Sequence, residues 1–139
     1  MTVILEKTLE RFAFGDSPEM ADALLALVLS GNKTATCAPL REYEQEGVPL
    51  PQPGERSIVL DGDNNPVCMI ETINVAVRPF DAVDADFARA EGEGDLSLAA
   101  WRTIHREFFD RHGGFTPDMM LVCRTFRLIE RLDAKRGRA

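Results

Sequence analysis

Ser30-Gly31-Asn32-Lys33-Thr34-Ala35-Thr36 is the stretch on which the reading of this chain turns. It packs a glycine turn, a lysine and several hydroxyls into a few residues. Gly31 can adopt the left-handed backbone angles that end a helix, which sends Lys33 out just past the helix C-terminus, where the last carbonyls carry partial negative charge. One account of Lys33 is therefore a cation that satisfies a helix end. The other is chemical: a lysine partly desolvated beside a hydroxyl can lose its proton near neutrality and act as a base toward that hydroxyl. Residues three apart face opposite sides of a flat strand, so cooperation between Lys33 and Thr36 requires a bent backbone between them.

Upstream, Asp16-Ser17-Pro18 starts a helix, with a capping side chain followed by a proline where no amide partner is needed. Met20, Ala23, Leu24, Leu27 and Val28 fall on one face of it. The first 14 residues are mixed in pattern and fit either a short helix or a lead-in strand.

Downstream, residues 42–54 carry three prolines and two glycines, a composition that predicts an extended surface loop. Tyr43 opens that loop, either to stack on a base or to anchor the loop on the body of the protein. A strand over 56–61, a turn at Gly62-Asp63-Asn64-Asn65 and a second arm from Pro66 to about Val77 read as a hairpin. Asp84 caps a short helix through Ala90, which Gly92-Glu93-Gly94 breaks. Glu91 thus stands at a helix C-terminus, where a carboxylate needs compensation and a cation such as Lys33 would supply it.

Ser97 or Asp95 starts the next helix, which runs to about Arg111 with Leu98, Trp101, Ile104, His105 and Phe108 on one face. His105 is either a hydrogen-bonded core residue or a proton shuttle. Residues 119–132 alternate as a long closing strand. Strands interrupted by helices without a strict strand-helix-strand rhythm predict an α+β fold, a mixed β-barrel surrounded by helices.

With 139 residues and 45% hydrophobic side chains, the chain has the size and composition of one globular domain. No apolar run reaches membrane-spanning length and the N-terminus lacks the order of a secretion signal, so the expected location is the cytoplasm. Cys37, Cys68 and Cys123 are odd in number and widely spaced; with His105 and His112 they give no metal-binding spacing, and neither metal nor cofactor is expected. A net charge of −7 argues against broad binding to nucleic-acid backbones and favours a small nucleoside or a short strand. Arg127, Arg131, Lys135, Arg136 and Arg138 make the C-terminal tail basic, as a contact surface or as a solvated end.

Gly31-Asn32-Lys33-Thr34-Ala35-Thr36 resembles the GxKxxT/E signature of ASCH domains, RNA-associated proteins related to the PUA barrel. The resemblance continues through Tyr43-Glu44-Gln45-Glu46-Gly47, Ser57-Ile58-Val59-Leu60-Asp61-Gly62, Ile70-Glu71-Thr72 and Pro79-Phe80-Asp81. It then takes in Ala90-Glu91-Gly92-Glu93-Gly94-Asp95, Trp101, His105 and Phe108-Phe109. It implies a single ASCH domain over residues 1–139 with a PUA-like barrel, and an RNA-associated hydrolase that needs no metal.

Carried over by position, Lys33, Thr36 and Glu91 are the catalytic candidates. Lys33 would take the threonine proton, Thr36 would attack an acyl carbon, and Glu91 would position or reprotonate the leaving amine. Asn32, Thr34, Tyr43, Trp101 and His105 are the candidate substrate-binding residues. Arg41 joins them because Ala38 stands where the deacylating members resemble GxKxxTxR. Three functions follow from the resemblance: scission of single-stranded RNA using Lys33, Tyr43 and His105, deacylation of a modified nucleoside such as N(4)-acetylcytidine, and binding of RNA or a nucleotide without chemistry.

Overall fold

Two long antiparallel strands organise the computed structural model, which describes residues 9–132. β4 (Pro66–Pro79) and β5 (Met120–Arg131) pair along most of their length, from Cys68 opposite Arg131 to Pro79 opposite Met120. β3 (Arg56–Leu60) flanks β4 antiparallel, and β1 (Glu10–Phe12) lies parallel to β3 at one edge. β2 (Ala35–Pro39) forms the other edge, antiparallel to β5, so the order is β1-β3-β4-β5-β2. Register shifts at Val59/Leu60, Met69/Ile70 and Thr72/Asn74 add local twist, which curls the sheet into a half-barrel.

Four helices accompany the sheet. α1 (Pro18–Leu29) starts with Ser17 accepting the Met20 amide and a proline in its first turn, as its sequence dictates. Its buried stripe is Ala21, Leu24, Leu25 and Val28, rotated from the expected one so that Ala23 faces solvent. It packs with Phe14, Val59, Val67, Ile70 and Phe126 into one half of the core.

α2 (Leu40–Glu46) replaces the extended loop that the prolines predict. All three prolines of that segment lie at or beyond position 49, and Gly47 (φ 68°) closes the helix before they begin. Tyr43 is therefore a helix residue. α3 (Ala85–Glu91), capped by Asp84, and α4 (Leu98–Arg111), capped by Ser97, follow a 3-10 turn at Phe80–Ala82. α4 contributes Trp101 and Phe109 to the other half of the core, with Phe80, Val83, Leu121 and Cys123.

The first eight residues and the basic end of the tail, with Lys135, Arg136 and Arg138, lie outside the described residues. No helix among the described residues is long and apolar enough to cross a membrane.

Candidate active site

Gly31 takes φ 88°, and the chain reverses there: the amides of Asn32 and Lys33 both donate to the Leu27 carbonyl, at 2.9 and 3.0 Å. The reversal precedes Lys33, whose side chain is only 1% exposed. Lys33 Nζ donates to Glu91 Oε1 at 2.8 Å, Ala35 O at 2.9 Å, Glu93 Oε2 at 3.1 Å and Glu91 O at 3.3 Å.

Two backbone contacts lock α3 onto the turn. The Thr34 amide donates to Ala90 O at 2.7 Å, and Gly92 (φ 76°) packs so closely that a Cβ there would sit 2.3 Å from Asn32 O.

Glu91 is as deeply buried as Lys33, at 1% exposure, and is surrounded by donors. Trp101 Nε1 donates to Glu91 Oε2 at 3.2 Å, and His105 Nε2 stands 3.4 Å from the same oxygen. The other ring nitrogen, His105 Nδ1, lies 3.0 Å from the Trp101 carbonyl. A carbonyl only accepts, so Nδ1 carries a proton, and Trp101 stacks on the imidazole at 4.3 Å between ring centres. Both ring nitrogens thus face acceptors.

These groups meet at a cavity lined by Lys33, Thr36, Cys37, Glu91, Glu93 and His105, with apolar walls from Phe14, Met20, Leu24, Ile104 and Phe108.

The electrostatics follow from this geometry. Burial works against the charge on Lys33, but Glu91 and Glu93 outweigh it and raise the ammonium pKa. Burial alone would raise Glu91, yet Lys33 and the His105 hydrogen bond hold it well below the usual carboxylate range. Burial opposes a charge on His105 as well, and its hydrogen bond and attraction to Glu91 push the pKa up instead. Burial pushes the Cys37 thiol well above its ordinary value and Cys123 up to about 12. Lys33 is therefore a retained ammonium in this geometry rather than the proton acceptor its neighbouring hydroxyls suggest.

A stability prediction follows from the signs. Glu91, depressed on folding, contributes fully above its ordinary value of 4.5 and loses that contribution as pH falls. His105, raised on folding, contributes fully below 6.5 and loses its contribution as pH rises through the folded value. The urea midpoint should be highest between pH 4.5 and 6.5. His105→Gln should flatten the decline above that window and leave the acid limb in place; an unchanged alkaline limb would refute the assignment.

The structure gathers Lys33, Thr36, Glu91 and His105 around one cavity, and Trp101 lies beneath as a support for Glu91. Other candidates fall elsewhere. Asn32 and Thr34 are exposed, and Thr34 Oγ1 is 3.5 Å from Ala90 O. Tyr43 lines a separate hollow with Glu10, Ala38, Glu42 and Glu46. Arg41 donates to Gly114 O at 3.0 Å, tying α2 to the loop before β5, and does not line the cavity.

Two residues of the cavity escaped the sequence reading. Glu93 was visible only as part of a helix break, and Cys37 only as a packing residue. Against the expectation that no metal site exists, Cys37 Sγ, a Glu91 carboxylate oxygen and a His105 ring nitrogen lie within 4.8 Å of one another.

A family model described as the ASCH domain matches residues 10–130. Among solved structures, the chain is similar to a protein from Enterococcus faecalis, with 36% identity, a TM-score of 0.86, and 98% of this chain and 89% of that one covered. It is also similar to the ASCH domain from Lactobacillus crispatus, with 35% identity, a TM-score of 0.82, and 94% and 86% covered. ASCH from Zymomonas mobilis shares the fold at 13% identity and a TM-score of 0.55, with 93% and 76% covered. No curated protein matches the sequence.

Proposed function

The chain belongs to the ASCH domain family, and from that premise we propose that it is an RNA-associated hydrolase that removes an acyl group from a modified nucleoside, free or at an unpaired position of a strand. The observation that carries this reading is the one cavity lined both by a buried ammonium–carboxylate pair and by Thr36. Buried charges are costly, and a pair of them at the floor of a pocket is a common mark of chemistry. The apolar walls of the cavity suit a planar base. The net charge of −7 favours a small ligand over a tracked backbone.

In this scheme Lys33 acts as the ammonium and polarises the acyl oxygen. Sharing its protons with that oxygen weakens its hold on Glu91, whose carboxylate becomes a better base and takes the proton of Thr36. Thr36 Oγ bonds to the acyl carbon, the carbon–nitrogen bond breaks, and the amine leaves with the proton returned by Glu91. Water then cleaves the acyl-threonine to release the acid and restore the hydroxyl. His105, with both nitrogens committed, is a positioning residue for Glu91.

Strand scission is supported less well, because Tyr43 lines a different hollow from Lys33 and His105. Simple binding is favoured by one observation: Lys33 and Glu91 satisfy each other without a ligand.

Incubating the protein with N(4)-acetylcytidine and, separately, with labelled single-stranded RNA distinguishes the three readings. The expected result is release of cytidine and acetate, lost by about 10³-fold or more in Thr36→Val and largely retained in Thr36→Ser. Cut RNA, or bound nucleoside with no product, would replace the proposal with one of its rivals.

A further inference from the structure

We propose that Cys37, Glu91 and His105 form a binding site for a soft divalent cation, zinc above all, at the floor of the cavity. The site shares Glu91 and His105 with the hydrolase reading, and it is tested without substrate.

The donors are a thiol, a carboxylate and an imidazole, a sulfur, oxygen and nitrogen set that suits zinc rather than calcium or magnesium. Their ligand atoms lie within 4.8 Å of one another. Around a tetrahedral zinc ion such atoms stand about 3.3–3.7 Å apart. The edge between His105 Nε2 and Glu91 Oε2 already measures 3.4 Å, within that range.

The surroundings are those of a metal-ligating histidine. The Trp101 carbonyl, 3.0 Å from Nδ1, keeps the proton on that nitrogen, and metal binding displaces the Nε2 proton that faces Glu91. Trp101 Nε1 holds the ligating oxygen of Glu91 from the other side, at 3.2 Å.

Charge also balances. Lys33 is the cation already present, and a thiolate at Cys37 with the carboxylates of Glu91 and Glu93 offsets both it and a divalent ion. Three protein ligands leave the fourth position facing the cavity, the pattern of zinc sites that keep a coordination place open.

The test uses the full chain stripped with a chelator and dialysed, then titrated with cobalt(II) and zinc(II). The expected result is one equivalent of cobalt with a thiolate-to-metal charge-transfer band and the intense visible bands of tetrahedral coordination, displaced stoichiometrically by zinc. Cys37→Ser should abolish the charge-transfer band, and His105→Gln should weaken cobalt binding by about 10-fold or more. Cys123→Ser, opposite Cys37 in the β2–β5 register, should keep the band and serves as the folded control. No binding by the wild-type chain, or a band that survives Cys37→Ser and disappears in Cys123→Ser, would overturn the proposal.

Discussion

Lys33→Ala is expected to lose about 3–5 kcal/mol of folding stability along with all turnover. The side chain is 1% exposed and holds two carboxylates, Glu91 at 2.8 Å and Glu93 at 3.1 Å. Removing the ammonium leaves Glu91 ionised in a buried site or forces it to take up a proton, and each alternative costs free energy.

The double variant Lys33→Met/Glu91→Gln separates structure from chemistry. Neutral groups of similar shape should recover a large part of the lost stability, since a buried pair and its apolar replacement are often close in energy. Activity should stay absent. Urea unfolding of the wild type, both single variants and the double variant measures the coupling. A Lys33→Ala protein within about 1 kcal/mol of wild type would show that the pair is not desolvated as its geometry requires.

Gly92→Ala carries the second large effect, and its cause is backbone contact rather than charge. Gly92 closes α3 at φ 76°, where an alanine costs about 1–2 kcal/mol. The added Cβ would also stand 2.3 Å from Asn32 O and 2.8 Å from Asn32 C, main-chain atoms that cannot rotate aside. Overpacking of this kind adds about 1–3 kcal/mol, so the total is about 2–5 kcal/mol.

Gly47→Ala is the matched comparison. Gly47 closes α2 at φ 68° and its Cβ would meet nothing within 4 Å, so only the conformational cost applies. The gap between the two variants reads the close approach of α3 to the turn after α1. Equal losses would mean that the turn yields. Turnover should fall further in Gly92→Ala than stability alone explains, because Glu91 is the preceding residue.

Much of this was legible where the cause is local. Ser17-Pro18, Asp84 and Ser97 announce helix starts through their own side chains, and Gly31 announces the reversal. The β3–β4 hairpin follows from its turn composition, with Asn64 at φ 67°. α2 was hidden because the prolines after Gly47 coloured the reading of residues that precede them. The family resemblance brought Lys33, Thr36 and Glu91 forward as a group. It could not disclose the protonation state of Lys33, which depends on Glu93, 60 residues away in the chain. The same limit applies to Arg41, whose partner Gly114 is 73 residues distant. It applies to His105 too: its i−4 carbonyl is local, but the carboxylate at its other nitrogen reaches it only through the docking of α3 on α4.

The edge position of β2 bears on when the protein acquires any capacity to act. Among the described residues, Thr36 and Cys37 ride on a strand whose sole neighbour in the sheet is β5, which follows it by about 80 residues in the chain. A nascent chain that has finished α4 but not β5 holds Lys33 and Glu91 without the ladder that orients the hydroxyl beside them. Pairing across so long an intervening segment is slow compared with helix formation. The proposed chemistry is therefore expected only once β5 has paired with β2, and truncation before Met120 should abolish it.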